Sequence, residues 1–97
     1  CDRFVFEGFL PVKKGRQTRL AELAADPRTV IICESPLRLG RTLGQIVSAF
    51  GADRPAAVCR EISKMHETIK KGTLGELFEY YSVNQTKGEI VIVIEGC

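Results

Sequence analysis

Ninety-seven residues, 44% hydrophobic and 27% charged with 9 Gly and 4 Pro, amount to one ordinary globular domain and exclude a disordered chain. With 14 basic and 12 acidic side chains the net charge is +2, too small to imply a polyanionic partner by itself. No apolar stretch approaches the roughly 20 residues of a membrane-spanning helix, and the first apolar run, broken by Arg3 and Glu7 and without a basic leader, lacks the pattern of a signal peptide.

The first element is a strand: Arg3 to Phe9 is rich in aromatic and β-branched residues and is bounded by Pro11. A basic, acid-free loop follows from Pro11 to Arg19, with Lys13, Lys14, Arg16 and Arg19. Leu20 and Leu23 with Ala21, Ala24 and Ala25 then predict a short helix that stops before Asp26-Pro27. Thr29 to Cys33 is a continuous β-branched run, expected as a strand buried on both faces. Ser35 as N-cap and Pro36 in the first turn predict a helix through Leu39, Leu43, Ile46, Val47 and Phe50, ended by Gly51.

Ala56 to Cys59 is the third strand. Arg60 to Glu67 reads as a loop or a short helical turn, and Thr68 to Lys71 as a brief edge strand. Thr73 and Glu76 have capping-box spacing and start a helix through Leu77, Phe78 and Tyr81. Asn84 to Gly88 is a turn, and Glu89 to Glu95 is the last strand. The order predicts an α/β domain: a four- or five-stranded mixed sheet flanked by helices.

Cysteines at 1, 33, 59 and 97 form no CxxC pair, so neither a zinc site nor a disulfide framework is expected; reduced thiols suit a cytosolic setting. Cys33 and Cys59, inside apolar strands, read as buried small hydrophobes. The chain opens on Cys1-Asp2-Arg3, its only methionine is Met65, and it closes directly after a strand, which reads as a piece of a longer protein. His66 is the only histidine, and with no Ser, Cys or Asp beside it the reading is a structural or surface residue rather than a general base.

In open α/β sheets, ligands collect beyond the carboxyl ends of strands. Three polar clusters fall at such junctions: the basic loop, Glu34-Ser-Pro-Leu-Arg38, and Arg60 to Glu67. The basic loop has two readings, a grip on phosphates or a solvated surface. Glu34 with Arg38, and Arg60 with Glu61, Lys64 and Glu67, are equally consistent with local ion pairs. No P-loop, GxGxxG or HExxH is present. The residues alone lead to an α/β domain with a candidate anion-facing edge.

Taken together and in order, Phe4-Val-Phe-Glu-Gly-Phe-Leu-Pro11 with Lys13-Lys-Gly-Arg16, Pro27-Arg-Thr29, Glu34-Ser-Pro-Leu-Arg38, Arg60-Glu-Ile-Ser-Lys64, Gly72-Thr-Leu74 and Lys87-Gly-Glu89 resemble the rRNA small subunit methyltransferase I family of the tetrapyrrole methylase superfamily. The resemblance runs end to end and covers only that family's C-terminal domain; a glycine-rich N-terminal domain would precede Cys1. It implies a cytoplasmic, S-adenosylmethionine (SAM)-dependent enzyme that 2′-O-methylates a cytidine ribose of 16S rRNA. SAM would lie in the cleft between the two domains, and the enzyme would work as a homodimer.

By position, the resemblance implies that Cys33, Glu34, Ser35, Arg60, Glu61, Glu89 and Ile90 face SAM or the cleft. It implies likewise that Lys13, Lys14, Arg16, Arg38 and Lys64 face RNA; no residue is assigned as catalytic base and no metal is expected. Two positions depart from the family, which often has Tyr at Cys33 and His at Leu37. A tetrapyrrole methylase domain is the alternative within the superfamily, although the basic loop favours RNA over a corrin-sized substrate. A non-catalytic dimerisation or RNA-binding module is the alternative of a different class.

Overall fold

The structure, a computed structural model, describes residues 3–60 and 68–96. The elements follow in the order β1 (Phe4–Phe9), α1 (Arg16–Ala25), β2 (Thr29–Glu34), α2 (Leu39–Phe50), β3 (Pro55–Arg60), β4 (Thr68–Thr73), α3 (Leu74–Val83) and β5 (Ile90–Ile94). The five strands form one mixed sheet in the order β1-β2-β5-β3-β4, in which β1 and β2 are parallel and every other pair is antiparallel. The expected mixed sheet is thus five-stranded, with the short edge strand as β4.

This topology aligns the chemistry. Because β5 runs against β2 and β3, the carboxyl ends of β1, β2 and β3 lie at the same edge as the amino ends of β4 and β5. The polar junctions after β1, β2 and β3 and the segment before β5 therefore share one end of the sheet.

All three helices bury their apolar stripes on a single face. Leu20 and Leu23 of α1, Leu39, Leu43, Ile46 and Phe50 of α2, and Leu74 and Leu77 of α3 pack with Val30, Ile32, Val58, Ile90, Ile92 and Ile94 of the sheet. Each strand alternates, so the intervening residues point the other way. Thr29, Ile31 and Cys33 of β2 are only half-buried, as are Val91 and Val93 of β5. The expectation that β2 is buried on both faces, and Cys33 with it, is therefore corrected. An all-apolar β-branched run suits a strand between two helical layers, yet among the described residues helices cover one face only; Cys33 on the other face is half-buried, while Cys59 on that same face is buried.

A β-bulge in β1 adds to the face that carries no helix among the described residues. The register slips between Phe6 and Gly8, where Gly8 has φ 70, so that Phe9 pairs with Cys33 rather than turning inward. Phe4, Phe6 and Phe9 consequently share that face and are all exposed.

Two helix starts differ from the sequence reading. α1 begins at Arg16, so the second half of the basic loop is helical. α2 begins at Leu39 with Arg38 at its N-cap, not at Ser35. Ser35 instead opens a hydrogen-bonded turn in which the Arg38 N–H donates to the Ser35 carbonyl at 3.0 Å and the Leu37 N–H to the Ser35 hydroxyl at 3.3 Å. Pro36 fits the second position of that turn as well as it fits a first helical turn, which is why the sequence alone misplaces the boundary. The stop at Gly51 and the capping box at Thr73 and Glu76 are as expected. Gly44 lets α3 approach α2, since a Cβ there would lie 3.0 Å from the Phe78 ring. The loop expected over Arg60 to Glu67 lies, beyond Arg60, outside the described residues.

Candidate functional site

At the shared end of the sheet, Glu34, Ile90, Arg60 and Thr68 stand in one row across β2, β5, β3 and β4. The row below it is Cys33, Val91, Cys59 and Ile69, facing away from the helices. Ser35 follows directly, and exposed Glu89 precedes buried Ile90. The structure thus brings Cys33, Glu34, Ser35, Arg60, Glu89 and Ile90 to one edge. Glu61, Lys64 and His66 lie outside the described residues.

Glu34 is the most constrained of these. Its side chain is 4% exposed, and its alternation within β2 points it toward the helices. Oε1 accepts the Ser35 N–H at 2.7 Å and the Arg38 Nε–H at 3.1 Å; Oε2 accepts the Thr42 hydroxyl at 2.6 Å. Arg16 Nη2 stands 3.8 Å from the same oxygen. A buried carboxylate requires such partners, because burial strips it of water. Its oxygens are therefore committed inside the fold.

Arg16 is committed too. It donates from Nε to Gln45, from Nη1 to the Pro11 carbonyl and from Nη2 to the Thr42 hydroxyl, at 2.7, 2.9 and 3.0 Å. It ties the β1–α1 connection to α2 while Lys13 and Lys14 in the same connection remain exposed. Arg19 grips Glu7 of β1 with two donors, which holds its guanidinium above the usual arginine range. Arg60 donates to Thr68 across the β3–β4 ladder at 3.3 Å. Burial pushes the Tyr81 phenol above its usual range, with Arg60 opposing that shift.

Between the ends of β1 and β2 and the start of α2 lies a cavity of 260 Å³. Its walls are Leu10, Arg16, Glu34, Arg38, Arg41 and Thr42, and its mouth carries Phe9 and Val12, which are 69% and 83% exposed. A second cavity, of 430 Å³, lies on the other side of Arg41 toward Tyr81 of α3 and Asn84 just past its end. Sequence reasoning misses Thr42, Gln45 and Arg41. Thr42 had a signal, a hydroxyl set among Leu39, Leu43 and Ile46 on the apolar stripe of α2, where a polar group needs a buried partner. Arg41 had none.

A family model described as tetrapyrrole (corrin/porphyrin) methylases matches residues 1–78. The chain belongs to this family. Among curated proteins it is similar to "Ribosomal RNA small subunit methyltransferase I" of Mesorhizobium japonicum, 50% identical over 95 residues, covering 96% of this chain and 32% of that protein. The Pseudomonas aeruginosa protein of the same name is 44% identical over 98 residues, covering 98% and 35%. The chain thus spans about a third of the length of these curated relatives. Among solved structures it is similar to a cobalt precorrin-4 methyltransferase of cobalamin biosynthesis, with a TM-score of 0.70 at 18% identity over 95% of this chain and 39% of that one. A uroporphyrin-III C-methyltransferase from Thermus thermophilus, complexed with S-adenosylhomocysteine, gives 0.65 at 17% identity over 96% and 42%. These likenesses establish a tetrapyrrole-methylase fold. No helix among the described residues is long and apolar enough to cross a membrane.

Proposed function

We propose that this tetrapyrrole methylase family member is the C-terminal domain of a cytoplasmic, SAM-dependent, homodimeric methyltransferase. In this reading it acts on small-subunit rRNA, methylating the 2′-hydroxyl of a cytidine ribose. The observation that carries the reading is the 44–50% identity, along nearly the whole chain, to relatives named rRNA small subunit methyltransferase I. The exposed Lys13 and Lys14 of the β1–α1 connection and the exposed Arg38 at the start of α2 support RNA over a tetrapyrrole substrate, since a polyphosphate backbone rewards several cations.

The edge described above fits SAM in the chemistry it offers. Cys33 and Val91 pair as half-buried apolar surface, while the Ser35 hydroxyl and the Arg60 guanidinium supply polar groups at the same end. Bound there, SAM would supply an electrophilic methyl group on a sulfonium. Cys33, Ser35, Arg60, Glu61 and the backbone at Glu89 and Ile90 would hold and orient it against an N-terminal domain of the same chain. Glu34 would act from behind, holding the Ser35 amide and the Arg38 guanidinium in place. Lys13, Lys14, Arg38 and Lys64 would hold RNA. Placement of the ribose hydroxyl in line with the methyl group is then the main catalytic contribution of this domain.

The test is methyl transfer by the full-length protein to small-subunit rRNA, read as 2′-O-methylcytidine by mass spectrometry. Site-specific methylation that declines when Lys13 and Lys14 are reversed to Glu is expected. Methylation of a tetrapyrrole in place of RNA overturns the reading.

A further inference from the structure

We propose that the 260 Å³ cavity between β1, β2 and α2 seats a single phosphodiester of the RNA strand, held by Arg38 and Arg41, with Arg41 a contact that neither the sequence nor the family resemblance picks out. The proposal rests on the RNA reading above and adds the point of attachment.

The charge balance of the walls comes first. Among the described residues three guanidiniums, of Arg16, Arg38 and Arg41, face one carboxylate, Glu34, leaving two positive charges in excess. Arg16 and Glu34 are satisfied within the fold, as described above. Arg38 is not: among the described residues only its Nε is engaged, by Glu34 at 3.1 Å, and its side chain is 60% exposed. Its terminal nitrogens keep their donors for another acceptor. The carboxylate behind fixes Nε, so the planar fork is oriented before any ligand arrives. Arg41 makes no hydrogen bond and no ion pair among the described residues, and it stands on the same wall three residues along α2. An arginine with free donors on a cavity wall gains most from an anion with several acceptor oxygens.

Size and surroundings select the anion. At 260 Å³ the cavity is just below the roughly 300–1,000 Å³ of small-molecule sites, so it accepts part of a polymer rather than a whole tetrapyrrole. The exposed Phe9 and Val12 at its mouth offer apolar contact to the sugar or base on either side of the phosphate. Lys13 and Lys14, exposed on the connection that carries Val12, extend the positive surface along the strand.

The experiment is RNA binding by the full-length protein, measured by fluorescence anisotropy with a single-stranded small-subunit rRNA fragment across a salt series. Arg41→Ala is expected to weaken binding about tenfold at low salt and to make the logarithmic salt slope shallower by about 0.7, one phosphate contact on a single strand. Arg41→Lys should keep most of the slope, and SAM affinity should be unchanged in both. Millimolar inorganic phosphate should compete with RNA for the wild-type protein and less well for Arg41→Ala. Unchanged RNA affinity and slope in Arg41→Ala, at an unchanged melting temperature, overturns the phosphodiester pocket while leaving the RNA reading intact. Tight RNA binding lost by no variant at this cavity but lost on reversal of Lys13 and Lys14 does the same. A wild-type protein that binds no RNA and instead binds a tetrapyrrole polycarboxylate overturns both.

Discussion

The Thr42 hydroxyl donates to Glu34 Oε2 at 2.6 Å, and both side chains are buried where β2 hands the chain to α2. With Ser35, Arg38 and Arg16 on its remaining sites, Glu34 couples the end of a central strand to two helices. The first prediction follows from how costly an unpaired buried polar group is. Thr42→Val should lower stability by about 1–3 kcal/mol. Glu34→Ala, which leaves Arg16 without its counter-charge, should cost about 3–5 kcal/mol. Urea unfolding reads both as a fall in midpoint at constant slope. A wild-type midpoint in Thr42→Val would show that the hydroxyl is dispensable to the carboxylate.

The capping box of α3 gives the second. Thr73 accepts the Glu76 N–H at 3.2 Å, and the Glu76 carboxylate accepts the Thr73 N–H at 2.8 Å. Thr73→Ala should cost about 1 kcal/mol, or roughly 4 °C in melting temperature for a domain of this size. Loss of a degree or less would mean that α3 is held by Leu74 and Leu77 alone.

Acid should loosen the same helix end. The Thr73 N–H holds the Glu76 carboxyl below its ordinary range, and Arg28 holds Asp26 down to about 2. A carboxyl whose folded pKa lies below its unfolded one stabilises the fold above the unfolded value and loses that contribution as pH falls through the folded one. The melting-temperature gap between wild type and Glu76→Gln should therefore be fully open at pH 7 and close below about pH 4. The gap for Asp26→Asn should close lower, toward pH 2. Gaps that stay constant across this range would mean that neither charge matters.

Much of this arrangement is legible in the sequence, because local rules and the fold agree. Thr73 and Glu76 announce α3, Gly51 ends α2, and the β-branched runs at 29–33 and 90–94 mark the two strands at the heart of the sheet. The junctions at Ser35 and Arg60 read as strand carboxyl ends from the residues alone, but that Cys33, Ser35, Arg60 and Glu89 share one edge does not, since strand direction is set by pairing far along the chain. The half-burial of Cys33 is not legible, because a run of β-branched residues says nothing about how many helical layers cover it. Nor is the start of α2 legible, because Ser-Pro opens a turn and a helix alike. Arg16 reads as one of four cations in a loop, and only the folded chain turns it toward Thr42 and Gln45.

The two central cysteines should differ in reactivity. Both point to the face that carries no helix among the described residues, yet Cys33 is half-buried there and Cys59 is buried. In the native 97-residue chain, a thiol reagent should label Cys33 several-fold faster than Cys59, and denaturant should equalise them. Peptide mapping separates them from Cys1 and Cys97. Equal slow labelling would mean that the helix-free face is covered, and equal fast labelling that β3 is not a settled strand.

The last prediction concerns these 97 residues apart from any partner domain. They should unfold cooperatively, because one continuous core joins all three helices to β2, β3 and β5. They should nevertheless transfer no methyl group. If SAM is gripped between this sheet edge and a second domain, the isolated chain keeps only part of the contacts. Several hydrogen bonds at about 1 kcal/mol each, with 1.4 kcal/mol per factor of ten, make SAM binding weaker by roughly a hundredfold or more. The in-line placement of ribose and sulfonium is lost with it. Titration calorimetry with SAM and a methyl-transfer assay on small-subunit rRNA, run on the 97 residues and on the full-length protein, provide the comparison. Equal SAM affinity and turnover in the two would refute an interdomain cleft and return the whole reaction to this one sheet edge.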